Sequence, residues 1–522
     1  MIGHGRQTIT TPYREITPEN IIDVLQSSID KFMENVNDCN YLIDYYYGVQ
    51  PLQRKEDKKV MQWIDFQNVD NVARQVTDFW TAFSDGIPIT LIQRGDVETG
   101  KSEGIARLNN QYAMTGIDRA TNRMSFFKQI TGLVYTHVDI NSEWEMGESY
   151  IQRNVLDPRC AFVVRSSYYL DKRVMLGVTV NFDDDNVRYF TAYSKDYMFI
   201  IKSMKVVNPQ TNREEWQYIP EDRNGEPNPL GRIQICEWVR SEDRTGVFEC
   251  AISSLDNLNL LSSDISNGVQ QGIEAFWWTN DVELEKKEVT DEDGNVKLVE
   301  KKPQPGDWLH TNTLRNGSKP SIQSLTLDYH ISDMVDNYLS QRSIVLQQCH
   351  VPQRNDNTGS SSGLAMDSAS GWADAENIAS AQECITKGCQ MDELRIVLSA
   401  LKASPDIDPS DPMLEIYPSD IEPSIRRPRN YELLTRVNAF AALISKGASI
   451  EDSLAAAPIV PDASQFIARS GEGIKRYQEA NVWKTSDADE STHLPDNETG
   501  NVANSPLIDG LTTGYETEVE DG

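Results

Sequence analysis

The sequence predicts an α+β protein, with a strand-rich first half and a helix-dominated second half. Three observations carry that reading. Between residues 150 and 207, five β-branched and aromatic runs are separated by turn residues such as Asp183-Asp184-Asp185-Asn186 and Asn208-Pro209. From Cys250, the residues Leu255, Leu258, Leu261, Ile265, Val269, Ile273 and Phe276 recur every three or four positions, the spacing of one helix face. A longer helical pattern runs from Trp372 to Ala403, with Ile378, Ala381, Ile385, Leu394, Val397, Leu398 and Leu401 inward.

Taken in order, residues 1–16 read as a loose arm. Thr17-Pro18-Glu19 supplies a cap, a proline at the first helical position and an acid. The apolar face of Ile21, Ile22, Leu25, Ile29, Phe32 and Met33 then runs toward Tyr45-Tyr46-Tyr47 and stops at Gly48. A second helix fits Asp70 to Asp85, with Val72, Val76, Phe79, Trp80 and Phe83 on one side; Gly86-Ile87-Pro88 ends it before a strand at Ile89–Ile92. Residues 104–137 are mostly helical. The strands are expected at Tyr150–Val155, Ala161–Val164, Val174–Phe182, Val187–Tyr193 and Met198–Val207. The acidic Asp183–Asp185 cluster is read as a solvated turn rather than a cation site.

After the helix that starts at Cys250, whose opposite face carries Ser, Asn, Asp and Gln, residues 282–302 alternate around Asp293-Gly294-Asn295, a hairpin signal. Trp277-Trp278 reads as an aromatic anchor at the helix end. Ile331, Met334, Val335, Tyr338, Leu339, Val345 and Leu346 mark another helix. The polar stretch VPQRNDNTGSSSGLAM, 351–366, separates it from the helix at Trp372. Soft segments of that length inside compact domains are usually functional or disordered. A short strand is expected at Met413–Tyr417, then two or three short helices at 430–480. The segment from Lys484 to Gly522 has ten carboxylates and one lysine and is expected to be disordered.

The 522 residues suggest about three domains. Their 49 Lys+Arg against 80 Asp+Glu give a net charge of −31. That excludes a tight grip on nucleic acid through phosphates, which needs a basic surface, but not a protein past which nucleic acid slides. Seven scattered cysteines without a CxxC read as reduced thiols; Cys384 and Cys389, five apart, make a poor metal pair. No secretory leader or membrane span is evident. Walker, GxSxG, HExxH and dinucleotide motifs are missing, and no cofactor or metal is expected. His137 and Asp139 share a strand face but have no third partner in view, so they read as structural. Gly471-Glu472-Gly473 is too short for a phosphate loop.

The order of elements resembles the portal proteins of tailed double-stranded DNA bacteriophages. Particular stretches add to the likeness. Tyr45-Tyr46-Tyr47-Gly48-Val49-Gln50-Pro51 resembles the family's aromatic-Gly segment. Asn71 through Gly86-Ile87-Pro88-Ile89-Thr90 resembles its helix ending in Gly-x-Pro before a strand. Val351-Pro352, then Asn357-Thr358-Gly359 and Ser362-Gly363-Leu364-Ala365, resembles its Val-Pro followed by a Gly-x-x-Ser-Gly-x-Ala segment. The likeness covers about 17–478. It departs in the loop, which is Ser-rich and lacks a lysine although Arg354 is present.

The resemblance implies a portal-type fold assembled as a ring, usually of about twelve subunits, at one capsid vertex. It implies a wing at 17–249, stem helices at 250–278 and 329–350, and a clip between them at 279–328. A tunnel loop would span 351–371, then a long helix and return to the wing at 372–428, a crown at 429–480 and an acidic tail at 481–522. Loop residues Gln353, Arg354, Asn355, Asn357, Thr358, Ser360, Ser361 and Ser362 would border DNA. Clip residues Glu285, Lys286, Lys287, Asp293, Gly294, Asn295 and Lys297 would meet partners. Those partners would be the terminase, the major capsid and scaffolding proteins and the head–tail connector, with no membrane. The location would be the virion vertex, and host cytoplasm during assembly. The charge fits: about twelve copies carry roughly −370, and an acidic lumen repels a polyanion from every side. Two other readings stay open on the residues alone. One is a nucleic-acid-processing enzyme with a hidden carboxylate metal site; the other is a different ring-forming head–tail connector. An exposed linker would also account for the composition of 351–366.

Overall fold

The computed structural model describes residues 5–51, 65–94, 101–170, 172–184, 187–207, 214–273, 276–280, 286–290, 296–300, 321–325, 330–353, 371–427, 433–457, 459–460, 466–467 and 470–476. The chain divides into two units, 1–429 and 430–522.

In the first unit, β1 (Thr10–Thr11) precedes the long helix α1 (Ile21–Tyr46). Next come α2 (Val72–Asp85), β2 (Thr90–Gln93), α3 (Ser102–Met114) and α4 (Ile117–Thr131). The strands β3 (Leu133–Ile140), β4 (Ile151–Leu156), β5 (Ala161–Ser166), β6 (Val174–Asp184), β7 (Val187–Tyr193), β8 (Tyr197–Val207), β9 (Glu214–Pro220), β10 (Glu226–Pro227) and β11 (Ile235–Val239) follow. Among the described residues they form a seven-stranded sheet in the order β1-β5-β6-β7-β8-β10, with β9 also on β8, and a three-stranded sheet β11-β3-β4. The five expected strands are present, each within two residues of its expected ends.

The large sheet is covered on both faces because its strands alternate apolar side chains. On one face α1 lays Val24, Leu25 and Phe32 against Phe162, Val178, Phe190 and Phe199. On the other, Val163 and Tyr193 pack on Leu133, Tyr135 and Ile235 of the small sheet. The largest core joins α2, α4 and the small sheet to a later helix, with Trp80 and Trp238 fully buried. Gly132 makes one close approach possible. It ends α4 at φ +81°, and a Cβ there would lie 2.3 Å from the Arg244 carbonyl oxygen.

Three expectations are corrected. The arm is packed over its described part: Ile9 and Ile16 are buried, β1 pairs in parallel with β5, and Arg6 is ion-paired with Glu249 inside the protein. Helix α1 starts a turn later than Pro18. Thr17 to Asn20 close a turn in which the Asn20 side chain accepts from the Thr17 amide at 2.9 Å. The strand expected at Met413–Tyr417 is instead two 3-10 turns, Pro412–Glu415 and Pro418–Asp420. Asp411 caps the first by accepting from the Met413 amide, and a proline opens each turn, so Met413 and Leu414 are curled into a 3-10 turn and only Ile416 and Tyr417, between the turns, are extended. The returning strand comes just after, at Ile421–Ser424, and pairs with β2.

A 3-10 turn, Glu249–Ala251, leads into α5 (Ile252–Ile273). Then come β12 (Phe276–Asn280), β13 (Lys286–Thr290), β14 (Val296–Glu300) and β15 (Ser321–Leu325), followed by α6 (Ile331–Gln348) and α7 (Trp372–Ala403). The strand at Ile421–Ser424 is β16. Trp277 and Trp278 lie on β12, not at a helix end. The second unit holds α8 (Leu433–Ser445) and α9 (Ile450–Ala456), with Ile444, Ile450 and Leu454 in a small core of its own.

Candidate functional site

The polar stretch after α6 leaves and re-enters the body at one place, and α2 builds that place. Trp80 is fully buried, and its Nε1–H donates to the carbonyl of Cys349 at 2.9 Å, at the end of α6. His350 follows at φ +54°, a left-handed stop, and the Val351 amide bonds back to the Leu346 carbonyl. One turn along α2, Phe79 and Phe83 hold the Trp372 ring at 5.9 and 5.7 Å between centroids, which fixes the start of α7. Gly371, at φ +84°, precedes it, and a Cβ there would sit 3.8 Å from the Pro352 Cα. The exit and the entry therefore touch.

Of the residues assigned to the loop, Gln353 lies at this root. Its side-chain nitrogen donates to the Ser343 carbonyl at 2.6 Å, and its oxygen accepts from the Ser343 hydroxyl. The amide thus ties the root of the stretch back onto α6 at Ser343. Arg354, Asn355, Asn357, Thr358, Ser360, Ser361 and Ser362 lie outside the described residues. So do Glu285, Asp293, Gly294 and Asn295. Lys286 and Lys287 are on β13, opposite Glu300 and Val299, and Lys297 on β14 faces Val289 across the antiparallel pair. The two ends of the excursion are themselves zipped together: β12 pairs with β15 from Phe276↔Leu325 to Asn280↔Ser321.

The polar face of α5 has a partner within the chain. The backbone amides of Phe66, Asn68 and Asp70 donate to Asn267 Oδ1, Ser263 Oγ and Asn259 Oδ1 at 2.8, 3.0 and 2.9 Å. Asn259 also donates to Gln50. From α6, the Tyr338 hydroxyl and Arg342 Nε bond Asp70 at 2.5 and 3.0 Å. Residues 66–70 thus run as a strap along the α5–α6 pair. Sequence reasoning missed the strap and the α2 clamp. The only signals were the aromatic cluster 79–83 and a tryptophan at the far end of the polar stretch.

Charges elsewhere serve the frame. Lys128 pairs with Asp85 at 2.8 Å, and Arg427 bridges Glu376 and Glu383 of α7. Glu237 is buried. Burial raises its carboxyl, but the Arg244 and Arg165 guanidiniums outweigh that and hold it below the usual range. His137 sits on β3 with Nε2 3.2 Å from Gln234 Oε1 and its ring against Tyr193. Burial pushes this imidazole below its ordinary value. Among the described residues no three His, Cys, Asp or Glu side chains are grouped to hold a metal ion, and no helix is long and apolar enough to cross a membrane.

No curated protein matches the chain in sequence. One solved chain, from the neck of an empty GTA particle computed with C6 symmetry, is 11% identical over 75% of this chain and 90% of its own, with a TM-score of 0.35. The model of one family, phage portal protein, SPP1 Gp6-like, matches residues 25–490. With most of its length matched, the chain belongs to that phage portal protein family.

Proposed function

We propose that about twelve copies close into a ring at one capsid vertex, and that DNA passes through its axis during packaging and ejection. In this reading the wing is 17–249 with the return at 404–428, the stem is α5 and α6, and the clip is 279–328. The crown is 429–480. The stretch 351–371 hangs from its α2 clamp as the tunnel loop. The single observation that carries the reading is the touching exit and entry of that polar stretch: a body that anchors both ends of a soft span at one point presents it as a fringe. The ring performs no chemistry; ATP hydrolysis belongs to the terminase docked on the clip, and the head–tail connector later takes that place.

The stem leaves surface for a neighbour. On α6, Val335 and Leu339 are exposed, Leu339 at 55%; Val269 of α5 is also exposed. Apolar side chains left bare on a helix pair mark an interaction face. Negative-stain images of the purified chain should show rings with a central hole, and Leu339→Glu should shift the particles toward monomers. Compact monomers at every concentration, with and without the other capsid components, would refute the proposal.

A further inference from the structure

Beside the root of the polar stretch lies a cavity of about 310 Å3 with two cysteines on its wall. Cys250 stands in the 3-10 turn before α5, and Cys349 caps α6. Cys250 is exposed and Cys349 buried. The two thiols line the same wall and act on one another directly, which lowers Cys250 and raises Cys349. The charged and titratable groups on the same wall are Arg240, Glu249 and His350. Arg240 donates through Nη1 to the Thr245 carbonyl, while its buried Nε has no hydrogen-bond partner. Glu249 is already paired with Arg6. An exposed sulfur with a second thiol and a guanidinium on the same cavity wall is the setting in which a thiolate forms.

We propose that Cys250 and Cys349 are a reversible dithiol–disulfide couple, a modification site that ties the foot of α5 to the end of α6 when a two-electron oxidant of the peroxide class enters the cavity. The Cys250 thiolate attacks one oxygen of hydrogen peroxide. The O–O bond breaks, hydroxide leaves and takes a proton to become water, and Cys250 is left as a sulfenic acid. The Cys349 sulfur then attacks the Cys250 sulfur. An S–S bond forms, the S–O bond breaks, and the departing hydroxide takes the Cys349 proton as a second water. Two thiols have lost two electrons to one peroxide, and a small dithiol reductant reverses the bond by exchange.

The chemical asymmetry suits this order. The neighbouring Cys349 draws the Cys250 thiol down to about 6; burial opposes it and Arg240 assists. Its interaction with Cys250, with burial, pushes Cys349 up, so it keeps its proton until the second step. An oxidised protein would have its loop root fastened directly to the start of α5. The two cysteines lie almost a hundred residues apart in sequence, which is why only the fold reveals them as a pair.

The test uses the full chain, treated with hydrogen peroxide, alkylated, digested and read by mass spectrometry. The expected product is a linked pair of peptides carrying 250 and 349, two hydrogens lighter than their sum. It should be lost on dithiothreitol treatment and absent from Cys250→Ser, a change at an exposed position. In a second arm, iodoacetamide labelling of untreated protein should level off above about pH 7 at Cys250, whereas N-acetylcysteine labelling still climbs past about pH 8. Peroxide products without the link, or a Cys250 profile that follows N-acetylcysteine, would overturn the proposal.

Discussion

Glu393 shows how much of this protein rests on single side chains. It is fully buried on α7, and its carboxylate takes Arg153 Nε at 2.7 Å, Thr136 Oγ1 at 2.6 Å and Trp238 Nε1 at 3.1 Å. Breaking a buried pair on one side strands the other charge and costs about 3–5 kcal/mol. Glu393→Ala should lower the unfolding free energy by about that much in urea melts, because Arg153 is left without its anion. His137 contributes in a pH-dependent way. Its folded value is depressed below the ordinary 6.5, so the unfolded chain takes up the proton first as pH falls. Its stabilisation is complete above that value and is lost as pH drops toward the folded one. Melts at pH 7 and pH 5 should differ less in His137→Gln than in the wild type. Neither role was legible in the sequence. The helical pattern around Leu394 and Val397 located α7 but gave no sign that Glu393 turns inward, since its partners lie 240 and 257 residues away. The sequence reads His137 as structural, on the lack of a third partner; the structure sets its ring against Tyr193 and Gln234.

At the scale of elements, the helices were the most readable parts, and their polar faces the least. The expected bounds of α7, Trp372 to Ala403, match the structure, because a long apolar stripe with a glycine before it and a proline after it leaves little freedom. The polar face of α5 was equally visible, but nothing in its Ser, Asn, Asp and Gln residues named a partner within the chain. The structure gives part of that face to residues 66–70, almost two hundred positions earlier. Side-chain oxygens of Asn259, Ser263 and Asn267 satisfy strap amides that no strand would satisfy. A double change, Asn259→Ala with Ser263→Ala, should therefore release the strap while α5 stays helical. Hydrogen exchange should quicken at the amides of Asn68 and Asp70, with little change in helical circular dichroism. The lost strand at Met413–Tyr417 teaches the converse: Met413, Leu414 and Ile416 carried a strand signal, and two prolines with an aspartate cap overruled it.

For the whole molecule, the succession of body, helix, excursion, helix, polar stretch, long helix and return was readable from periodicity and turn residues, and it led to the portal family that the match over 25–490 establishes. What a single chain's sequence holds less openly is how distant parts brace one another. The excursion is an instance. Its ends are clasped together by the pairing of β12 with β15. Removing 282–302 should leave that unit's melting transition in place while ring closure or terminase docking fails; mutant rings that still package DNA would count against the clip assignment. The contact between Pro352 and Gly371 has a further consequence. Because the two ends meet whatever lies between them, the intervening length is almost decoupled from the stability of the body, and each doubling adds only about 0.6 kcal/mol of closure entropy. Related chains are thus free to carry a short span or a long one, and in the proposed ring the bore would be tuned by insertion and deletion without redesigning the frame.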